Sequence, residues 1–332
     1  MKAFAIDRYK SKDGGRIVDM SKPEVGDNDV LVQIHAAGVN LLDAKIADGE
    51  FKIFLPYRFP LILGNDVAGV VVKVGARVRC FKPGDEVYAR PDKDRIGTFA
   101  EFISMNEADV AIKPRELTME AASIPLVGLT AWQALVEIAN LKPGQKIFIQ
   151  AGTGGVGTFA IQLAKHLGAT VGTTASAANF DMVKALGADV LIDYKTEDFE
   201  TKLRGYDVVL HSQDSKTLDK SLRVLKPGGT LISISGPPDP AFADEIGAPW
   251  YVKSVMRVLS FGARRKAERL NVTFSFLFMR ANGDQLREIT SLIDQGVIRP
   301  VVERVFPFES TQDALDFVEK GRAKGKVVVN VT

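Results

Sequence analysis

The spacing of apolar residues divides the chain into two kinds of segment. Over roughly residues 1–120, short β-rich runs such as Val30–His35, Val67–Val74 and Glu86–Ala89 are separated by glycine and proline. This pattern predicts a compact antiparallel β domain. From Leu117 onward, apolar strands alternate with amphipathic helices, which is typical of a parallel sheet wound by right-handed crossovers. We therefore expect an α/β protein with two domains.

The alternating segment predicts five or six strands and at least three helices. The predicted strands are Lys146–Ala151, Thr170–Thr174, Asp189–Ile192, Asp207–His211, Thr230–Ser235 and Thr273–Phe278. The predicted helices start near Val156, Asn179, Leu218 and Pro249. The prolines between Gly236 and Trp250 predict a loop there.

The last part of the chain breaks the alternation. It predicts a helix at Gln285–Gln295, a strand at Val301–Phe306, a helix at Ser310–Lys320 and a terminal strand at Lys326–Val331. A lone terminal strand must pair with another strand, and the N-terminal β domain offers the nearest unfinished sheet. We therefore predict one domain from residues 1–120 with 279–332, and a second, inserted domain from residues 121–278.

Composition limits the kinds of partner that this protein can bind and the cellular compartment in which it is expected. The 332 residues are 46% hydrophobic and carry a formal net charge of +2, with both signs dispersed, so nucleic acid is not expected as a partner. Cys80 is the one cysteine, which excludes an internal disulfide and favours a reducing compartment. Neither a secretory signal nor an apolar run of about 20 residues is visible. We expect a cytoplasmic protein without a membrane partner.

A glycine-rich turn is the strongest local signal. The predicted strand Lys146–Ala151 leads into a Gly-x-Gly-x-x-Gly turn and then into a helical pattern. In a dinucleotide site, Gly152 allows the tight turn, Gly154 admits the pyrophosphate and Gly157 lets the helix pack on the sheet, while helix amides face the anion. A purely structural turn is the alternative. The predicted cofactor-binding residues here are Gly152, Thr153, Gly154, Gly155, Val156 and Gly157.

The end of the second strand bears on the choice of nicotinamide cofactor. An NAD site carries Asp or Glu there to bind the ribose 2′-hydroxyl, whereas this strand ends Thr173-Thr174-Ala175-Ser176. Without that negative charge, Thr174 and Ser176 can donate hydrogen bonds to a 2′-phosphate, so the sequence favours NADPH. Alternatively, Ser176 only caps the helix that follows.

Four segments carry a resemblance that covers essentially the whole chain: Ala37–Lys45, Gly64–Gly75, Pro83–Val87 and Gly325–Val329. They resemble the zinc-independent quinone oxidoreductases of the medium-chain dehydrogenase/reductase superfamily. The pattern of Asn40, Asp43-Ala44-Lys45 and Gly49–Lys52 is similar to that of the enone reductases of the same branch. The resemblance implies a GroES-like β-rich catalytic domain and a doubly wound Rossmann domain that binds NADP.

Zinc-dependent alcohol dehydrogenases of the superfamily place a cysteine in the segment that matches Gly38–Asp43, and a histidine just after the glycine that matches Gly64. This chain has no cysteine in that segment, and Asn65 stands at the histidine position. The loop Arg90–Thr98 also lacks the four cysteines of their structural zinc site. We expect no metal site.

The resemblance implies hydride delivery to an acceptor that is already electrophilic, with Lys45 and Asn40 as the catalytic residues. Lys45 would stabilise an enolate or fix the nicotinamide ribose, and Asn40 would orient substrate or cofactor. A solvated lysine and a helix-capping asparagine are the alternatives. Asp43 is expected to brace the first helical turn.

The resemblance also assigns further contacts to the cofactor. Thr130 would lie near the nicotinamide, although a threonine that bonds to its own helix is equally consistent with the sequence. Tyr194 would approach the 2′-phosphate, while Asn179 replaces a lysine that the family places nearby. Phe276 and Phe278 would belong to the strand whose backbone meets the carboxamide.

The leading hypothesis is an NADPH-dependent reductase of a small quinone or an α,β-unsaturated carbonyl, assembled as a homodimer. An NADP-dependent alcohol dehydrogenase and a non-catalytic NADPH-binding protein are the alternatives. The stretch Arg257–Arg269 holds five basic residues, which indicates either a patch for a nucleotide or an acidic acyl carrier, or a solvated helix surface.

Overall fold

The computed structural model describes residues 1–11, 14–52, 55–321 and 323–332. It divides into two compact units. The first comprises Met1–Leu129 and Arg280–Thr332, and the second comprises Thr130–Met279. The second unit starts later than residue 121 because the preceding segment is held in the first unit, where the Leu126 amide donates to Asp66 Oδ1 at 2.7 Å.

Strands and helices alternate along the described residues as follows. The strands are β1 (Lys2–Ile6), β2 (Arg16–Asp19), β3 (Asp29–Val39), β4 (Leu61–Ile62), β5 (Asp66–Val74), β6 (Glu86–Ala89), β7 (Phe102–Asn106), β8 (Val110–Ile112), β9 (Lys146–Ile149), β10 (Thr170–Ala175), β11 (Val190–Asp193), β12 (Tyr206–His211), β13 (Leu225–Ser233), β14 (Thr273–Phe276), β15 (Val302–Pro307) and β16 (Lys326–Asn330). The α-helices are α1 (Leu41–Ala47), α2 (Pro125–Trp132), α3 (Gly155–His166), α4 (Phe180–Ala185), α5 (Phe199–Lys202), α6 (Ser215–Val224), α7 (Pro240–Glu245), α8 (Trp250–Arg269), α9 (Gly283–Asp294) and α10 (Thr311–Glu319). Short 3₁₀ segments lie at Glu107–Asp109, Met119–Ser123, Ala177–Asn179 and Phe308–Ser310, and α2 continues into a π-helical turn at Gln133–Ile138.

The first unit is built on a β sheet of order β15-β16-β3-β5-β6-β8, with β7 also paired to β3. The terminal strand β16 pairs antiparallel with β3, so it completes the N-terminal sheet as the pairing argument predicts. One pair departs from the antiparallel pattern, since β15 and β16 run parallel. The interior is lined by β-branched residues such as Val32, Ile34 and Val71, which suit a pleated, buried surface.

The second unit holds a parallel sheet of order β11-β10-β9-β12-β13-β14. The strand order reverses beside β9, and such a reversal places the ends of β9 and β10 at a crevice suited to a ligand. Phe148 of β9 anchors the core, with its ring centroid 4.9 Å from that of Phe199. This is the predicted fold class, an α/β chain with a GroES-like β domain and a Rossmann domain.

Two local predictions were wrong. The predicted loop between Gly236 and Trp250 contains α7, because Asp239 Oδ1 accepts the Phe242 amide at 2.9 Å and Pro240 suits the first helical turn. The last parallel strand ends at Phe276 and does not reach Phe278.

None of the helices within the described ranges is long and apolar enough to cross a bilayer.

Candidate active site

The glycine turn after β9 is shaped by two close approaches of backbone and side chains. A Cβ on Gly152 would lie 2.3 Å from Thr173 Oγ1, and a Cβ on Gly157 would lie 2.3 Å from the Ala151 carbonyl oxygen. Both distances are far below van der Waals contact. Gly152 and Gly157 are therefore glycines because the turn, the strand and α3 pack against one another there.

Gly154 is different, because the protein itself does not need a glycine at that position. It is the N-cap of α3 with a φ of −76°, and a Cβ there would meet only the Ala151 carbonyl oxygen, at 3.4 Å. The space beside Gly154 is open at the amino end of a 12-residue helix, where backbone amides attract an anion. Thr153, Gly155 and Val156 are partly exposed beside it. These residues fit the pyrophosphate of a dinucleotide.

The end of β10 braces this turn. Thr174 Oγ1 accepts the Ala151 amide at 3.1 Å, and the Thr174 carbonyl accepts the Gly152 amide at 2.9 Å. Thr174 is predicted to bind the 2′-phosphate through its hydroxyl group, and the oxygen of that hydroxyl also holds the glycine turn in place. Its hydroxyl hydrogen is still able to donate to a ligand.

Ser176 and Tyr194 lie at the same edge of the sheet. The Tyr194 amide donates to the Ala175 carbonyl at 3.3 Å, and the Tyr194 side chain is exposed. Ser176 is the N-cap of a 3₁₀ segment, and its Oγ accepts Asn179 Nδ2 at 2.9 Å. The nearest acid on the neighbouring strand, Asp193, accepts the Lys195 amide at 3.0 Å.

The predicted carboxamide strand and Thr130 are also in the second unit. The Phe276 amide donates to Asp239 Oδ2 at 3.1 Å, so this backbone donor is already engaged. The Phe276 and Phe278 rings pack on Phe242, with centroids 5.2 and 5.5 Å away. Thr130 is buried in α2.

His211, at the carboxyl end of β12, is a neutral buried histidine. The Asp214 carbonyl can only accept, so His211 Nε2 carries the proton and donates to it at 3.1 Å. Nδ1 of the neutral ring then accepts from the Ser233 hydroxyl at 3.0 Å, and Ser233 Oγ in turn accepts the Gly236 amide at 2.7 Å. Burial lowers the pKa of His211 to about 4.

In the first unit, Asn40 and Asp43 form the start of α1. The Asn40 amide donates to Asp43 Oδ2 at 2.7 Å, so Asp43 braces the first turn as expected. Asp43 Oδ1 accepts Asn65 Nδ2 at 2.7 Å. Burial raises the pKa of the Asp43 carboxyl to about 7, against the opposing effect of these hydrogen bonds.

A buried lysine that the sequence reasoning missed completes this cluster. Lys326 Nζ lies 3.0 Å from Asp66 Oδ2 and 3.1 Å from the Val39 carbonyl, and it also donates to Asn40 Oδ1. Asn40 Nδ2 donates to the same Asp66 oxygen at 2.9 Å. Asn40 is therefore held by a lysine and an aspartate that are 26 or more positions away in sequence. The signal that could have identified them is that Asp66 and Lys326 both lie in segments that resemble family motifs, Gly64–Gly75 and Gly325–Val329.

Lys45 has different surroundings from Asn40, although both belong to the α1 region. Its side chain is 34% exposed, and its Nζ lies 3.5 Å from Glu50 Oε2. A partly exposed ion pair of this kind is weak, so it leaves the amine available to a ligand. The structure keeps Asn40 in the buried network and Lys45 outside it.

The residues at the family's catalytic zinc positions do not fit a zinc ion. Asn40 and Asn65 are neutral amides, and the Lys326 ammonium already supplies a positive charge to Asp66. Among the described residues there is no group of three or more His, Cys, Asp or Glu that could hold a metal, and Cys80 is exposed. Catalytic zinc needs about three such ligands.

Comparisons with known proteins agree with this architecture. Residues 26–115 match the family described as alcohol dehydrogenase GroES-like domain, and residues 186–329 match the family described as zinc-binding dehydrogenase. The mitochondrial NAD(P)H oxidoreductase RTN4IP1 of Bos taurus is 35% identical, over 100% of this chain and 89% of its own length. The chain belongs to the medium-chain dehydrogenase/reductase superfamily, in the branch of quinone and enone reductases.

Two further relatives of this medium-chain reductase support the branch. The chloroplastic NADPH-dependent alkenal/one oxidoreductase of Arabidopsis thaliana is 34% identical, over 99% of this chain and 79% of the relative. The solved quinone oxidoreductase from Coxiella burnetii superposes with a TM-score of 0.88 at 30% identity, covering 100% of this chain and 99% of the other. This medium-chain reductase is accordingly an enzyme, an oxidoreductase that uses a nicotinamide cofactor.

The expected cytoplasmic location was wrong. Several relatives that this medium-chain reductase matches carry the words mitochondrial or chloroplastic in their names. The expectation rested on the single cysteine and on the lack of a visible export signal, and neither feature distinguishes among cellular compartments.

Proposed function

We propose that this protein is a zinc-independent, NADPH-dependent reductase that delivers hydride to a quinone or to the C=C bond of an α,β-unsaturated carbonyl. The observation that carries the proposal is the Lys326 ammonium bonded to Asn40 and Asp66, where a zinc alcohol dehydrogenase would need a metal ligand set. An acceptor that is electrophilic by itself does not require a Lewis acid.

The preference for NADPH is supported by the end of β10. Ser176 presents a hydroxyl there, Tyr194 is exposed beside it, and β10 ends without a carboxylate. The name of the Arabidopsis relative, an NADPH-dependent enzyme, points the same way. Asp193 lies opposite Ala175 on the adjacent strand, and one of its carboxylate oxygens accepts the Lys195 amide.

The bound nicotinamide would supply the hydride, and this chain would supply position and charge. The Gly154 turn would hold the pyrophosphate. Lys45, with its amine partly exposed, would place positive charge near the oxygen on which negative charge develops. Asn40 is fixed on three sides by Asp43, Asp66 and Lys326, so it would act as a rigid hydrogen-bonding element rather than a mobile one.

The test is an NADPH oxidation assay with a panel of quinones and enones, run with and without a chelator, on protein whose metal content is measured. We expect turnover with at least one acceptor class, no effect of the chelator and no stoichiometric zinc. Tightly bound zinc whose removal abolishes activity would overturn the metal-independent part of the proposal.

Cofactor choice is tested by titrating NADPH and NADH into the wild type and into Ser176→Asp. Placing a negative charge at position 176 should weaken NADPH binding and leave NADH binding nearly unchanged. Ser254→Asp, at an exposed serine of α8 beside the opposite edge of the same sheet, is the matched control for an added negative charge. Equal affinities of the wild type for the two cofactors would overturn the NADPH assignment.

The homodimer is part of the same proposal, with the site taking a small-molecule acceptor. Sedimentation velocity of the full chain measures it directly, and a single monomeric species at all concentrations would remove it.

A further inference from the structure

Helix α8 exposes an unusual amount of apolar surface. Its buried stripe, Val252, Met256, Ser260, Ala263 and Ala267, faces the core of the second unit. Six large apolar side chains on its other faces are exposed to solvent. They are Trp250, Tyr251, Val255, Val258, Leu259 and Phe261, and their exposed fractions run from 52% to 79%.

The exposed residues lie together on the outward side of the helix. Tyr251, Val255 and Val258 follow one another at intervals of four and three, which aligns them on one face. Trp250 and Phe261 lie 11 positions apart, close to three full turns, and so share a second line on the outward side. We call the six exposed residues the α8 apolar face. An exposed apolar face of this size normally marks a site of contact with another protein, a membrane or a ligand.

The same helix concentrates positive charge. It carries Lys253, Arg257, Arg264, Arg265, Lys266 and Arg269 against the single acid Glu268, a net of +5. The whole chain is only +2, so the remaining residues sum to −3.

Some of this positive charge is already neutralised, and some is available. Lys253 pairs with Asp244 and Lys266 pairs with Asp219. In the part of the chain that the structure describes, no carboxylate forms an ion pair with Arg257, Arg265 or Arg269.

We propose that the α8 apolar face docks on an anionic lipid surface, with the helix lying in the plane of the interface. An aromatic and aliphatic face flanked by arginines is the composition of an interfacial helix. Anionic headgroups complement the net charge of +5, and the acyl region accepts Val255, Val258 and Leu259. Docking of this face does not depend on the proposed reaction.

A second copy of this chain is a poorer occupant for the same face. Pairing α8 with itself would bring two helices of +5 together, and like charges across an interface oppose association. An anionic bilayer meets both the apolar and the basic features at once. The earlier expectation of no membrane partner considered only spanning segments, whereas one helix face is enough for peripheral binding.

The experiment is co-sedimentation of the full chain with vesicles of phosphatidylcholine alone or mixed with phosphatidylglycerol. We expect binding to the anionic vesicles that weakens as NaCl rises from about 0.05 to 0.5 M. The double variant Val255→Ser/Val258→Ser should lower the partition coefficient about tenfold, since it removes apolar transfer energy. Val305→Ser, at an exposed valine outside α8, is the matched control.

Fluorescence supplies a second readout. The chain has two tryptophans, so in a Trp132→Phe background the emission reports Trp250 alone. A blue shift on adding anionic vesicles is expected. Arg265→Gln/Arg269→Gln should reduce binding, whereas Arg77→Gln, at an exposed arginine elsewhere, should not.

Three outcomes would overturn the proposal. One is no binding to anionic vesicles, and another is equal binding to both vesicle types. The third is a dimer that the double variant dissociates without any vesicle binding, which would assign the face to a second copy. Activity of the double variant with a water-soluble quinone or enone, measured without vesicles, separates this proposal from the reaction, because neither valine belongs to the candidate active site.

Discussion

The ammonium of Lys326 lies 3.0 Å from a carboxylate oxygen of Asp66, and both side chains are almost completely buried. The two residues belong to β16 and β5, on either side of β3 in the sheet. Their contact therefore joins the C-terminal strand to the start of α1 through Asn40. A charge pair at this depth positions Asn40 only while both partners are present.

Lys326→Met should destabilise the first unit by about 3–5 kcal/mol, because it leaves the Asp66 carboxylate buried without its cation. Chemical denaturation followed by circular dichroism measures the loss. Lys82→Met, at a lysine whose side chain is 82% exposed and paired with Asp85, should cost less than about 1 kcal/mol. The double variant Lys326→Met/Asp66→Asn should recover part of the loss. Similar costs for the two single variants would contradict the assignment.

Lys45→Ala should lower kcat and kcat/KM together by about 10²–10³, the usual cost of removing one donor to a developing oxyanion. NADPH affinity, measured by fluorescence titration, should hardly change. Glu50→Gln is the control, since it removes the ion pair of Lys45 but keeps the amine. A loss confined to cofactor affinity would reassign Lys45 to the ribose. Changes below about threefold in every parameter would make it a solvated lysine.

Gly154→Ala and Gly157→Ala should differ in kind. The first adds a methyl group into open space, so we expect stability to change by less than about 1 kcal/mol while cofactor affinity falls. The second places a Cβ 2.3 Å from a backbone oxygen and should destabilise the second unit. Thermal unfolding and NADPH titration of both variants check the contrast. Unchanged NADPH binding by a folded Gly154→Ala protein would argue against the pyrophosphate site.

His211 should make the second unit sensitive to acid. Its pKa falls from 6.5 in the unfolded chain to about 4 in the folded one, so the unfolded state binds more protons between those values. Above pH 6.5, His211 makes its full contribution to the free energy of unfolding. About 3 kcal/mol of that free energy is lost as the pH falls toward 4. His211→Gln lacks this titration, so the gap between wild type and variant should narrow on acidification.

Tryptophan fluorescence during urea unfolding is suited to this measurement, because Trp132 and Trp250 both belong to the second unit. The Asp43 carboxyl, with its raised pKa, acts in the opposite direction and lies in the first unit. A gap between wild type and His211→Gln that stays constant from pH 7.5 to 4.5 would contradict the neutral, buried histidine.

Features that depend on local spacing could be predicted from the order of the amino acids. The strand, glycine turn and helix around Gly154 follow one another along the chain, so their periodicities and the steric needs of Gly152 and Gly157 are legible without a fold. The brace of Asp43 on Asn40 spans three residues and was legible for the same reason. The loop predicted over α7 failed because proline was treated as a breaker, whereas Asp239 and Pro240 start a helix.

Contacts between distant residues could not be predicted in this way, because they depend on how the sheets assemble. Lys326 reaches Asn40 across 286 positions, and no local pattern separates such a lysine from a solvated one. Helix α8 is a second example. Its apolar and basic residues can be read from the sequence, but packing in the folded chain determines which side of the helix is exposed to solvent. Burial and charge pairing are properties of the folded chain, because they depend on the sheet register that brings β16, β3 and β5 side by side.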